Sequence, residues 1–431
     1  MSISMDPALN ATGDVAVAPA TASARCRFCG STLRHTVVDL GMSPLCESYL
    51  AANQLNQMEP FYPLRVQVCS ECFLVQLQAY VSPDHIFSDY AYFSSYSDSW
   101  VRHAKKYADA MIERFGLGRD HHVVELASND GYLLQHFVAR GVPSLGVEPA
   151  GNVARVAVEK GVPTLVEFFG VETARDMVAQ GKAADLIAAN NVLAQVPDLN
   201  DFVGGIKVLL KPTGVATIEF PHLERLMAEN QFDTIYHEHF SYFSFYTTVK
   251  IFAAHGMTVF DVEELPSHGG SLRVFARHEQ DATHSVTPRV AALLEREIHG
   301  GVNSLTSYSN FEEQVRETKR KLLDFLIQAK REGKRVVGYG APGKGNTLLN
   351  YCGIREDFID FTVDRNPYKQ GKFLPGTHIP IRHPDELRAA RPDYVLILPW
   401  NLKREIIEQL AFVRDWGGKF VVPIPETTVL E

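Results

Sequence analysis

In the segment FDTIYHEHFSYFS, Tyr236, His237, Glu238 and His239 occupy four consecutive positions. An imidazole can be neutral and basic near pH 7, a carboxylate can orient it, and a phenol can donate a hydrogen bond to developing negative charge. A lone histidine is more often structural. Two histidines beside a glutamate and a tyrosine point instead to proton transfer at a substrate.

A second set is metal-like. Cys26 and Cys29 form one CxxC pair, and Cys69 and Cys72 form another. Two thiolate pairs on separate turns can close a tetrahedron around one zinc ion, which suits soft sulfur ligands and needs no redox change. Four such ligands leave no open coordination position, so the expected ion is structural. In a chain read as cytoplasmic, disulfides are disfavoured. Cys46 lies between the pairs and can replace a ligand, but it reads better as a small buried apolar residue, as does Cys352.

A third set faces a nucleoside. The stretch HHVVELASNDGYLL reads as a strand ending at Glu125, a loop of Ala127, Ser128, Asn129, Asp130 and Gly131, and then a helix. Such a loop lets backbone N–H groups approach a ligand. The next strand ends at Glu148, whose carboxylate can accept from both ribose hydroxyls of an adenosine. NAD-binding proteins use a similar acid, but here the loop is not GxGxxG. An acid closing the first strand would also repel a pyrophosphate. A sulfonium amino acid would tolerate it, so the cofactor reading is S-adenosylmethionine. Asn190 and Asn191 end the fourth strand near the methionine portion, and Phe168, with Phe169, follows the third to flank adenine.

These sets must be positioned by alternating strands and helices. HHVVEL, PSLGVEP, VPTLVE, ADLIAAN and GVATIEF read as successive strands of a parallel sheet, followed by a helix at Tyr246–His255. MTVFDVEEL and SLRVFARH then form a hairpin around Pro266–Gly270, whose HGGS run puts His268 and Ser271 against a ligand. A charged helix at Asn310–Glu332 leads into KRVVGYGAPGKGNTLL, which opens a second βα series ending near Pro423. Its glycine-rich loop superficially advertises NAD. Lys344 within it either neutralises a diphosphate as a point charge or is a solvated lysine at a helix start.

The fold class is therefore α/β: a class I methyltransferase Rossmann-like sheet, a four-cysteine module before it, and a second Rossmann-like domain after it. The divisions expected are a disordered leader over 1–24, the zinc module over 25–87, the cofactor domain over 88–300 and the C-terminal domain over 301–431. With 431 residues, 45% of them hydrophobic, there is material for several cores. A net charge of −9 gives no broad basic footprint for nucleic acid. No run has the roughly 20 apolar residues of a membrane span, and the leader has no secretory pattern, so a soluble cytoplasmic protein is expected.

CRFC with CSEC, DYAYFSSYS, ELASNDG, NNVLAQVPD, YHEHFSYFS, HGGSLR and GYGAPGKGNTLLNY together resemble the sugar C-methyltransferases of deoxysugar biosynthesis, over Cys26 to about Pro423. The resemblance implies a thymidine-diphosphate-linked hexose as substrate and a C-terminal domain that shapes the substrate cleft without binding a dinucleotide. It implies His239 as the base that removes the proton alpha to the keto group, with Tyr236 and Glu238 beside it, and a further tyrosine at Tyr90 or Tyr92. Where relatives often carry a histidine, this chain has Gln195 in the substrate region.

The expected reaction is enolisation by His239, with His237 as its nearest competitor. Tyr236 or Tyr90 donates to the enolate oxygen, Glu238 orients the imidazole or a sugar hydroxyl, and carbon then takes the methyl group. The rival readings are an O- or N-methyltransferase of the same fold, an NAD-dependent oxidoreductase, or a sugar-nucleotide binder using the C-terminal loop.

Overall fold

The computed structural model describes residues 24–82, 86 and 93–430. Tyr90 and Tyr92 lie outside the described residues. Near the N-terminus, β1 (His35–Ser43), β2 (Tyr62–Val68) and β3 (Val75–Leu77) pair antiparallel. In β2, Leu64, Val66 and Val68 are buried while Arg65 is exposed, the alternation of a sheet with one face on a core.

The central sheet contains β4 (Val123–Leu126), β5 (Ser144–Val147), β6 (Thr164–Leu165), β7 (Ala184–Asn190) and β8 (Leu210–Pro221). The next strand along the chain, β9 (Ser241–Tyr242), is not part of it. The hairpin β10 (Met257–Leu265) and β11 (Ser271–His278) completes it in the order β10-β11-β8-β7-β4-β5-β6. Only β11 runs antiparallel to its neighbours. This is the class I methyltransferase sheet read from the strand pattern. Strands such as VVEL are buried along their whole length because helices cover both faces. The VPTLVE run gives a strand at Thr164–Leu165 alone, at the sheet edge, where little packing extends it.

The C-terminal sheet holds β12 (Val336–Tyr339), β13 (Thr362–Val363), β14 (Ile381–Arg382), β15 (Tyr394–Ile397), β16 (Lys419–Val422) and β17 (Thr428–Leu430), in the order β14-β13-β12-β15-β16-β17. All its pairs are parallel except the last. The helix expected before it spans Phe311–Arg331 and buries Phe311, Val315, Thr318, Leu322, Leu326 and Ala329, one stripe at helical spacing.

The N-terminal module is a wedge between the other two parts. Its sheet shares one apolar core with the C-terminal half, Val38, Leu64 and Val66 clustering with Val315, Leu322 and Leu348. Its cysteine end joins the other core, with Cys69, Cys72 and Leu74 clustered with Phe243 and Phe245. The wedge is also stitched in by backbone. β9 leaves the YHEHFSYFS segment to pair with β3, Gln76 opposite Ser241 and Val75 opposite Tyr242.

Candidate active site and metal centre

The sulfur atoms of Cys26, Cys29, Cys69 and Cys72 all lie within 4.8 Å of one another. Cys26 and Cys72 are 3.5 Å apart, as are Cys29 and Cys69. A zinc tetrahedron with Zn–S bonds near 2.3 Å needs sulfurs about 3.8 Å apart, so the four fit that ion. Gln76 supports the site, its amide donating to Cys26 Sγ at 3.2 Å while its carbonyl accepts from Arg27 N. Cys46 takes no part. It is buried, as is Cys352.

One cavity of about 660 Å³ opens where the carboxyl ends of β4, β5 and β7 meet those of β12, β13 and β15. Parallel α/β sheets gather ligands at that edge, and here two sheets share it.

On the central-sheet side, Ala127, Asn129, Glu148, Phe168, Asn190 and Asn191 line the wall. Ala127 and Asn129 take left-handed backbone conformations, φ +55° and +49°, which tighten the loop after β4. Glu148 accepts from Asn129 N at 2.9 Å and Ala150 N at 2.8 Å, and each carboxylate oxygen keeps capacity for a second donor. Burial raises its carboxyl above the usual range despite those bonds. Asn190 is buried with neither side-chain polar atom hydrogen-bonded to the protein. A buried amide without partners is costly, so a polar ligand at this spot is the simplest account. The donor set suits S-adenosylmethionine.

Glu125, Ser128, Asp130 and Gly131 do not reach the cavity. They hold the loop from below. Burial pushes the Glu125 carboxyl well up, offset in part by Tyr132 beside it. Asp130 is paired with Lys160 at 3.1 Å. Gly131 sits at φ +75°, and a side chain there would press on Val162 and Ala157. The sequence shows the loop but not which of its side chains turn inward.

Facing that wall are Tyr236, Glu238, His239, His268 and Gln195. His239 donates from Nδ1 to the Thr234 carbonyl at 3.0 Å, which leaves the lone pair on Nε2. Burial, with Lys344 adding to it, pushes this imidazole down to about 4, so it is neutral near pH 7. The Tyr236 ring lies 4.2 Å from it, centroid to centroid, and burial drives that phenol well above its ordinary value. Glu238 accepts from Cys46 Sγ at 3.4 Å.

Two expected substrate contacts point elsewhere. His237 turns into the N-terminal module, donating from Nε2 to the Pro63 carbonyl at 3.2 Å and packing edge-on against Tyr62. Two positions apart, the imidazoles would share one side of a strand, but residues 236–239 form a turn closed by the bond from His239 N to the Tyr236 carbonyl at 2.9 Å, and the turn separates them. Ser271 is buried and donates to the Ser267 carbonyl at 3.0 Å.

The far end of the cavity belongs to the C-terminal half, where Lys344, Arg365 and Lys369 line it. Lys344 is not a solvated lysine. Its ammonium donates to Asn401 Oδ1 at 2.8 Å, lies 4.8 Å above the Trp400 ring, and is lowered by burial against the raising effect of Asp233. Lys369 is buried between the Tyr49 hydroxyl at 2.8 Å and Glu47 at 3.2 Å.

Sequence reasoning missed Lys369, Glu47 and Trp100, because no motif spacing joins them. It also missed what fills the glycine-rich loop. Gly343 is pressed by the wedge, since a side chain there would come within 2.8 Å of Cys46 Sγ. Tyr49 donates to the Ala341 carbonyl at 2.5 Å, and Asp364 accepts from Ala341 N at 2.7 Å. The loop that would cradle a dinucleotide is thus packed in part by protein.

Known proteins align along most of the chain. A family model described as a C-methyltransferase C-terminal domain matches residues 266–425, one described as a methyltransferase domain matches 100–262, and one described as a zinc binding domain matches 26–87. The C-methyltransferase NovU of Streptomyces niveus is 38% identical over 405 residues, 94% of this chain and 96% of that protein. Among solved structures, the magnesium protoporphyrin IX methyltransferase of Synechocystis PCC 6803 aligns over 41% of this chain and 79% of its own, at 11% identity and a TM-score of 0.32. An S-adenosylmethionine-dependent methyltransferase of Clostridium acetobutylicum ATCC 824 covers 41% and 92%, at 13% identity and 0.33. At such scores neither structure bears on the chemistry of this chain.

Proposed function

Because the chain belongs to the sugar C-methyltransferase family, an S-adenosylmethionine-dependent family with an N-terminal zinc-binding domain, we propose that it methylates a carbon alpha to the keto group of a thymidine-diphosphate-linked deoxyhexose. The observation that carries the reading is His239. A neutral imidazole whose lone pair is fixed on Nε2, in a cavity with a nucleoside-type acid at one wall and cations at the other, is suited to taking a proton from carbon.

In this reading Glu148 holds the adenosyl ribose and Asn190 the methionine portion. When bound, S-adenosylmethionine supplies the electrophilic methyl group. The keto-hexose lies beside Tyr236, Glu238 and His239, with its diphosphate toward Lys344, Arg365 and Lys369. His239 Nε2 takes the alpha proton, the C–H electron pair becomes the enolate double bond, and the carbonyl pair moves to oxygen. Tyr236, held protonated, donates to that oxygen. Glu238 orients a sugar hydroxyl. Gln195 faces the substrate with an amide, which can bond to sugar hydroxyls but cannot act as a base.

The test is incubation with a thymidine-diphosphate-linked ketodeoxyhexose in deuterated water, with and without the methyl donor. Carbon methylation through an enolate exchanges the alpha proton even without the donor. Methylation of oxygen or nitrogen requires no such exchange, and its absence from a productive reaction would sink the reading.

A further inference from the structure

His268 stands in the same cavity as the base, in a backbone conformation its own side chain disfavours. Its φ is +53°, in the left-handed region, which a residue of this size adopts where its surroundings impose it. Those surroundings are specific. Ser267 before it donates to Glu219 Oε1 at 2.8 Å, and Glu219 is held by Arg273 at 2.9 Å and His103 at 3.1 Å. After it, a side chain at Gly269 would strike Trp400 and Gln231, and one at Gly270 would strike Arg225.

The ring is fixed as firmly as the backbone. Trp100, stacked on His103 at 4.8 Å, meets His268 edge-on at 5.0 Å. Asn191, itself at φ +57°, donates from Nδ2 to His268 Nε2 at 3.3 Å. An amide NH2 can only donate, so Nε2 carries the lone pair and the ring proton sits on Nδ1. Burial pushes the imidazole down to about 4, so it carries one proton, not two. His239 is the complement, with its proton committed to Thr234 and its lone pair on Nε2.

We infer that His268 is a second catalytic imidazole, donating Nδ1–H to the substrate's keto oxygen while His239 removes the neighbouring proton. The inference rests on the keto-sugar reading above. The C–H pair becomes the carbon–carbon double bond and the carbonyl π pair moves to oxygen. The Nδ1 proton stays on nitrogen as a hydrogen bond, and the abstracted proton rides on His239. A neutral imidazole is the suitable donor, because an imidazolium would protonate the oxygen and quench the nucleophilic carbon. Tyr236 supplies the other donor, so two groups converge on one oxygen as in an oxyanion hole.

The test has two arms. In ¹⁵N NMR of the labelled full-length protein, the His268 ring, assigned by its loss in His268→Asn, should show the Nδ1–H tautomer. With a thymidine-diphosphate-linked ketodeoxyhexose in deuterated water, His268→Asn should slow alpha-proton exchange about 100-fold, the scale for one lost oxyanion donor, while probe binding persists. Asn191→Asp offers only acceptors to Nε2, draws the ring proton there, and should slow exchange to a similar degree with the imidazole still in place. It keeps the test alive should His268→Asn fail to fold. An Nε2–H tautomer, or exchange at the wild-type rate in both variants, overturns the inference. A wild-type protein that exchanges nothing overturns the keto-sugar reading instead, while the tautomer still judges His268.

Discussion

The carbonyl of Thr234 fixes the working face of His239, since the 3.0 Å bond from Nδ1 decides which nitrogen keeps a lone pair. Replacing His239 by Asn should leave both ligands bound and cut methyl transfer and alpha-proton exchange together, by about 10²–10⁴-fold, the range for a general base. His237→Asn should lose far less activity, because its ring is spent on Pro63. Parallel kinetics of the two variants check this. Exchange at the wild-type rate in His239→Asn would move the base elsewhere.

Glu148 already accepts two backbone N–H groups and faces the cavity. Glu148→Ala should weaken S-adenosylmethionine binding by about 1.5–3 kcal/mol, the scale for hydrogen bonds to a charged group. It should also lower the melting temperature, because Asn129 N and Ala150 N lose their acceptor. Calorimetry showing unchanged donor affinity would mean that the ribose binds elsewhere.

One zinc ion per chain should be found on Cys26, Cys29, Cys69 and Cys72 by metal analysis of untagged protein. Cys69→Ser should lose the ion and several kcal/mol of stability. Cys46→Ser should keep the ion. Full metal content and stability in Cys69→Ser would remove the four-thiolate assignment.

Gly343 should tolerate no side chain while Cys46 faces it. Gly343→Ala is expected to cost about 1–3 kcal/mol, the range for overpacking, and to weaken nucleotide-sugar binding at that end of the cavity. Adding Cys46→Ala should restore part of both. A double-mutant cycle with no coupling would show that the loop is open at this point.

Burial holds His239 and His268 near 4, whereas in an unfolded chain both titrate near the ordinary 6.5. Between those values the unfolded state binds more protons, so stability rises with pH. The stability these two neutral imidazoles contribute should fall as pH drops from about 6.5 and be gone by about 4. Urea unfolding should show a shallower slope over that window in His239→Asn than in the wild type, with zinc release common to both.

Much of this was legible from the chain. The central sheet follows from all-apolar strands broken by helical spacing, and the zinc set from two CxxC pairs. That Glu148 lies at the cavity edge was readable because strand ends recur at regular intervals. What could not be read is three-dimensional direction. Nothing in YHEHFSYFS says that His237 turns outward while His239 turns in, since that depends on β9 pairing with a strand more than 160 residues earlier. Lys369 and Glu47 meet across 322 positions, and such a pair leaves no local signature. The glycine-rich loop looked like a dinucleotide cradle because its filler, the segment around Cys46, comes from another part of the chain.

The pairing of β3 with β9 limits how this enzyme can be taken apart. Gln76 touches a metal ligand through its side chain and pairs with Ser241 through its backbone, two residues from His239. A chimaera that borrows the cysteine module from a relative must therefore borrow residues 236–244 with it, or the graft will carry a sound metal site and a misaligned His239. Within one sequence the two segments are free to drift only in concert, so compensating substitutions between 75–77 and 240–243 should mark the family's divergence.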